Sequence, residues 1–369
     1  MIGSLKKERI FGLDLMRATA ILLVVFSHCI WFFPSLDGVP FTVLNYAGLF
    51  GVEIFFVLSG FLIGKILYRI YVLEEFSNNS MIKFWKRRWL RTLPNYYLIL
   101  VVNIGLGAFY YNDLPNDFWR YFLFIQNFSF EQSSFFYESW SLSIEEFAYI
   151  LGPLILISIT LIFKKYSKKS LFLFMISFVI LIFVGTKVYY NYTHENDSML
   201  IWTTNLKSVV IYRIDAIYFG MLAAYISINY YKLWNKHKVL FLILGLFIFI
   251  SFNMFVSLDK GDNMLIWNVI FLPINTISIG LSLPFLSNFH LNKGVFFRTI
   301  TYISLLSYAI YLTHYSLVLK LFQRHISNEM SFSNKLMSIL VYLIITFLIS
   351  FILFLYYERP LMNWKQDRS

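Results

Sequence analysis

Arg17 and His28 stand eleven positions apart in an apolar run that holds few other polar side chains. Eleven residues is close to three turns of α-helix, so the two share one face, roughly 16 Å apart along the axis. Asp14 lies one turn before Arg17 on the same side. A guanidinium grips phosphate or carboxylate in a bidentate fork. An imidazole, with an ordinary pKa of about 6.5, takes and returns a proton near neutral pH. One helix would thus hold an anion at one level and move a proton at another. The plain alternative is an Arg whose stem lets its head reach the membrane surface, with a His bonded to a neighbouring helix.

Other polar groups interrupt apolar stretches in the same way. Glu53 opens the run Gly51 to Ile63. It is expected near the outer surface, where solvation accounts for it, and the Ser59-Gly60 pair within that run would let helices approach closely. The segment Lys83 to Arg91 is the densest in basic residues and precedes Pro94. Read as a cytoplasmic loop, it meets anionic lipid, at about 1 kcal/mol per basic residue, or a phosphate-bearing cytosolic ligand. Arg88 and Arg91 are one helical turn apart. In Trp140-Ser141-Leu142-Ser143-Ile144-Glu145-Glu146, a serine can cap a helix and the acids suit its positive end. Alternatively one carboxylate orients or charges a histidine; adjacent residues cannot both face the same way. Arg213 and Asp215, Tyr308 and His314 within Ser307 to His314, and Glu358-Arg359-Pro360 complete the set. His194, His237, His290 and His325 fall in loops. No HExxH or Cys/His metal spacing occurs, so no metal is expected. A single cysteine, Cys29, excludes an internal disulfide.

The elements that must position these groups are membrane helices. Of 369 residues, 59% are hydrophobic and only 14% charged, well below the quarter or so of a soluble domain. Mean hydropathy is +0.65. A bilayer-crossing helix needs about 20 apolar residues. Ten stretches qualify, over about 12–33, 46–68, 94–111, 147–164, 171–190, 206–228, 239–257, 264–286, 301–322 and 336–357. The fold class is therefore an all-α membrane protein of about ten transmembrane helices. It is expected as one integral-membrane unit over 1–369, with no cleavable signal peptide, internal repeat or extramembrane domain. With the N-terminus inside, 21 of the 31 Lys and Arg residues fall in cytoplasmic segments and four outside, as cytoplasmic loops require. Both termini are then cytoplasmic. The shorter run 118–130 carries Arg120, Gln126 and Asn127. Making it a span would invert the later basic clusters, so it reads as a re-entrant or interfacial piece on the outer face. The charge of +11 then speaks for membrane lipids as a partner and not nucleic acid.

Together these residues resemble the membrane-embedded acyltransferase-3 family, which O-acylates surface carbohydrates, over nearly the whole chain. Arg17 and His28, with ten residues between, are similar to the family's first-span signature. Gly51 to Ile63 is similar to its GVDxFFVLSGFLI stretch, with Glu53 in place of the commoner Asp. Arg88 and Arg91 match its cytoplasmic RxxR. Trp140-Ser141-Leu142 with Glu145 and Glu146 matches WSLxxEE, although Phe147-Ala148 replaces the usual Gln-Phe. Arg213 and Asp215 match a later RxD, Ser307 to His314 match SYxxYLxH, and Glu358-Arg359-Pro360 matches a closing ERP.

The resemblance implies a transferase of a bacterial plasma membrane, carrying an acyl group, acetyl first, from cytosolic acyl-CoA to a hydroxyl of a surface or lipid-linked carbohydrate. It implies a donor site at Arg17, Arg88 and Arg91 with Asp14. His28 would be the general base, with Glu145 or Glu146 on its other nitrogen and His314 or Tyr308 near the oxyanion. Glu53, Trp140, Arg213 and Asp215 would serve the substrate. Direct transfer and an acyl-histidine relay both fit. Some members add an extracellular hydrolase-like domain, so this membrane part would act alone or with a separate extracytoplasmic partner. Rivals from other classes are a glycan or lipid exporter and a non-catalytic subunit of an envelope complex. The acceptor and the oligomeric state are not legible.

Overall fold

A computed structural model describes residues 9–361, apart from positions 34, 36, 37, 75, 197, 260–262 and 328. The expected cytoplasmic termini beyond 9 and 361, and Lys260, lie outside the described residues. Among the described residues every regular element is helical, and nine helices are long and apolar enough to cross a membrane. The protein is an all-α multi-pass membrane protein.

Helix α1, Phe11–Ser27, ends in a tight turn over His28–Phe32. Helix α2, Gly38–Tyr68, starts eight residues before the expected span. Helix α3, Asn78–Leu106, corrects the expected loop at 83–91. A reciprocal cap between Ser77 and Ser80 starts it early, and such a cap satisfies two orphan N–H groups. The basic residues therefore occupy the first half of a spanning helix, with Pro94 inside it. Helices α4, Ser139–Ile162, and α5, Lys168–Thr193, follow. After α6, Asp215–Asn229, come α7, Lys238–Asp259, and α8, Phe271–Gly280. Helices α9, Val295–Thr313, and α10, Phe332–Leu353, close the bundle.

The sixth expected span, 206–228, is not one helix. Its helical part, α6, has 15 residues and starts at Asp215; the preceding residues form separate short turns over Thr203–Lys207 and Val210–Tyr212. A break in apolar surroundings leaves backbone N–H groups that must find partners within the protein. The segment at 118–130 supplies them. Val210 N–H bonds the Asn127 carbonyl at 2.9 Å and Ile211 N–H the Phe128 carbonyl at 3.1 Å. Returning the contact, Gln132 N–H bonds the Thr204 carbonyl at 3.1 Å. The segment itself forms only a short tight helix, Phe118–Leu123, in keeping with its expected non-spanning role.

Helix α2 is the central post. At Gly60 it lies directly against the Ile217 carbonyl of α6, and at Gly220 α6 meets the Val57 carbonyl. A Cβ at either position would overlap backbone. Small residues of this kind are what allow membrane helices to approach so closely. Gly51 plays the same part against the Ala20 carbonyl of α1.

Candidate active site

A narrow cavity of about 160 Å³ lies among α1, α2, α3, α4 and α9. Arg17, Arg88 and Arg91 line it together with Glu145, Ser141 and Tyr311. Three guanidiniums from two helices thus converge on one space. Tyr308 also lines it, and its hydroxyl donates to the Thr92 carbonyl at 2.8 Å.

Each arginine is held differently. Arg17 donates to Ser304 Oγ at 3.4 Å and lies 3.8 Å from Asp14. Asp14 itself is gripped by both nitrogens of the Arg9 fork, at 2.9 and 2.7 Å, and accepts from Ser304 at 2.8 Å. Arg9 therefore neutralises the acid that was expected to serve Arg17. Arg88 donates to Glu145 Oε2 at 3.0 Å and to the Tyr149 hydroxyl at 2.7 Å, with its guanidinium 4.3 Å over the Tyr149 ring. Tyr149 donates on to Glu145 at 2.8 Å and meets Ser59 on α2. Arg91 is exposed and has no hydrogen bond or ion pair among the described residues.

The two acids of α4 separate as helical geometry demands. Glu145 faces the cavity. Glu146 turns to α3, accepting from Trp89 Nε1 at 3.0 Å and Thr92 Oγ1 at 3.2 Å. Among the described residues neither is hydrogen-bonded to His28, which corrects the expected pairing. Their oxygens are engaged by Arg88, Trp89 and Thr92 of α3 and by Tyr149 of α4.

His28 instead faces His314, with ring centres 5.2 Å apart, and packs edge-on against Tyr315 at 4.8 Å. His314 is fully buried, and its Nδ1 lies 2.8 and 3.2 Å from the Tyr311 and Ile310 carbonyls. Carbonyls only accept, so Nδ1 carries the proton and Nε2 keeps its lone pair. That Nε2 is buried without a partner. His28 is not on the cavity lining itself. The lining residue Tyr311 has its ring 5.7 Å from that of His314 and its hydroxyl 2.6 Å from Ser141 Oγ.

Four expected substrate residues sit elsewhere. Glu53 is buried, not solvated; it forms an ion pair with Arg213 and accepts from Thr276 at 3.0 Å. Asp215 is paired with the buried Lys187. Two opposite charges taken from water need each other, and that is how these are placed. Trp140 is buried beside the cavity, edge-on to Phe56, with the Lys207 ammonium 4.6 Å over its ring. Glu53, Trp140, Arg213 and Asp215 do not line the cavity.

Sequence reasoning missed Arg9, Ser59, Ser304 and Tyr311. Tyr149 was findable as a partner, since it follows Glu145 by four residues on the same face. Glu138 was also missed. It stands at the N-cap position of α4 without bonding that helix's amides, is buried, and accepts from the Ser316 N–H and hydroxyl at 3.2 and 2.6 Å. Among the described residues no three His, Cys, Asp or Glu side chains are grouped to hold a metal ion.

Comparison with known proteins now gives the family. Residues 10–355 match the acyltransferase domain family (Acyl_transf_3), and the chain belongs to it. It is 28% identical to the peptidoglycan O-acetyltransferase OatA of Listeria monocytogenes over 357 residues, which is 83% of this chain and 49% of that protein. It is 33% identical over 161 residues to YrhL of Bacillus subtilis, a protein assigned by prediction as a peptidoglycan O-acetyltransferase. That match covers 40% of this chain and 23% of YrhL. The chain thus spans about half or less of the relatives it matches. No solved structure shows a significant match. Apolar helices and bacterial relatives together make this a bacterial multi-pass membrane protein.

Proposed function

We propose, starting from membership of that family, that the chain is an acyltransferase moving an acyl group, acetyl first, from cytosolic acyl-CoA to a carbohydrate hydroxyl on the far side of the bilayer. The observation that carries this reading is the cavity that joins three arginines at one end to Ser141 and Tyr311, one ring away from two facing histidines. The excess of Lys and Arg in the segments assigned inside supports a cytosolic arginine end.

The donor's phosphates would sit at this basic mouth. Arg91 is free to take them, and Arg88 can exchange Glu145 for phosphate, since its fork suits either anion. The thin pantetheine arm would enter the cavity, with the nucleotide left outside. The thioester would then lie at Ser141 and Tyr311; these hydroxyls bond each other, so the one whose proton is not used in that bond would donate to a developing oxyanion.

A sugar hydroxyl needs its proton removed to attack at neutral pH. His28 would take it as the oxygen bonds to the thioester carbonyl carbon. The C–S bond then breaks, and the leaving thiolate recovers the proton from the imidazolium. Such help is worth about 10²–10⁴ in rate. His314, fixed as an acceptor at Nε2, suits an N–H of His28, which would leave the other His28 nitrogen bare for the hydroxyl. It fills the place first expected of Glu145 or Glu146. Glu53, Arg213 and Asp215 would hold the scaffold.

The test is to mix detergent-purified protein with labelled acetyl-CoA and oligosaccharides. Peptidoglycan fragments come first, because the Listeria relative carries that name. Free thiol together with labelled glycan is expected. Absence of both across the acceptor panel would overturn the reading, and an acyl-histidine trapped on quenching would replace direct transfer by a relay.

A further inference from the structure

Beside the cavity, the broken stretch before α6 packs against the segment containing Gln126 and Asn127, and the polar groups there do not balance. Gln126 Nε2 donates to Ser143 and Ser139 hydroxyls at 2.7 and 3.2 Å. Asn127 Nδ2 donates to the Ser208 and Trp140 carbonyls at 2.6 and 3.0 Å. Their side-chain oxygens, Gln126 Oε1 and Asn127 Oδ1, are buried and have no partner, and neither has Ser208 Oγ. Gln126 is 6% exposed, and Asn127 and Ser208 are fully buried.

Next to Ser208, the half-buried Lys207 holds its ammonium over Trp140. Arg213 pairs with Glu53 and Lys187 with Asp215, but among the described residues Lys207 has no carboxylate partner. Trp140 immediately precedes Ser141 of the cavity lining, so this cluster adjoins the cavity.

Buried acceptors call for donors, and an unpaired cation calls for an anion. A saccharide with a charged substituent offers both, since its hydroxyls donate and its carboxylate or phosphate accepts. We propose that Lys207, Gln126, Asn127 and Ser208 form a subsite for an acceptor saccharide bearing an anionic group, with Lys207 selecting that group. Trp140 backs the site. The proposal rests on the acyltransferase reading and specifies its acceptor as anionic.

The test is direct binding to the full chain in detergent, independent of turnover. Three labelled oligosaccharides of equal length serve as probes, one with hexuronic acid, one carboxyl-reduced and neutral, and one phosphorylated. The wild type should bind one or both anionic probes at least tenfold more tightly than the neutral probe, and which of them it prefers identifies the anion. Lys207→Gln should remove that preference, and Lys207→Arg should keep most of it. No anionic preference in the wild type, or a preference that survives Lys207→Gln, overturns the proposal. Equal loss of all three probes in Lys207→Gln, with Lys207→Arg no better, also overturns it by making the residue structural. If the preference is present but no acceptor is acylated, the subsite stands and the enzyme reading falls.

Discussion

His314 faces His28 across 5.2 Å between ring centres, and two backbone carbonyls one turn earlier hold its proton on Nδ1, which leaves its Nε2 unprotonated and without a partner. Two histidines therefore have unequal parts. One is locked in a tautomer by backbone carbonyls, and the other, under the proposed function, is the one that would exchange protons.

Replacement of His28 by Ala should abolish acyl transfer, by a factor of about 10²–10⁴, in protein that still runs as a monodisperse species. His314→Ala should lower kcat by at least about tenfold with donor affinity unchanged, because it removes an orienting acceptor and not a phosphate ligand. Full turnover by His28→Ala sinks the base assignment.

The arginines should divide by what already holds them. Arg91 makes no hydrogen bond or ion pair among the described residues, so Arg91→Gln should weaken acetyl-CoA binding about tenfold, the size of one charge-assisted contact, and leave the melting temperature in place. Arg88→Gln should weaken binding and also lower the melting temperature, since Glu145 and Tyr149 lose their shared donor. Calorimetric titration with acetyl-CoA and a thermal scan distinguish the two. Equal stability loss from both variants would contradict the assignment.

For the buried pair, Glu53→Gln should destabilise by about 3–5 kcal/mol, since it strands the Arg213 charge. The double change Glu53→Gln with Arg213→Met should recover much of that loss. Thermal unfolding in one detergent is the readout, and additive losses would show that the two residues do not act as a pair.

Gly60→Val should prevent stable assembly by driving Cβ into the Ile217 carbonyl, whereas Gly105→Ala, which meets nothing within 4 Å, should be neutral. Expression as a monodisperse peak reports both outcomes.

Much of this arrangement was legible because hydropathy fixes where helices run. Periodicity fixes which residues of one helix share a face, as for Arg17 with His28 and Arg88 with Arg91, whereas the joining of Arg17 to Arg88 and Arg91 is implied only by the family resemblance. What periodicity does not give is neighbours. Nothing in the first span says that His28 meets the turn just after α9 and not α4, and nothing near Glu53 announces Arg213, 160 residues later. The sixth span misled for another reason. Averaged over 206–228 its composition suffices for a helix, but Arg213 and Asp215 each take a buried partner and the neighbouring amides bond another segment. Only tertiary contacts show that. At 83–91 the density of basic residues points to a loop, and it is the Ser77–Ser80 cap that starts the helix ahead of them.

The discontinuity before α6 bears on how the chain is made. Its amides at 210 and 211 depend on carbonyls at 127 and 128, so this passage cannot leave the translocon as an independent unit with its backbone already paired. Synthesis order favours the event, because the earlier segment emerges first and can wait at the membrane surface. Biogenesis here is therefore a docking reaction as well as a partitioning one, and damage to residues 125–128 should appear as failed insertion of a helix made some eighty codons later.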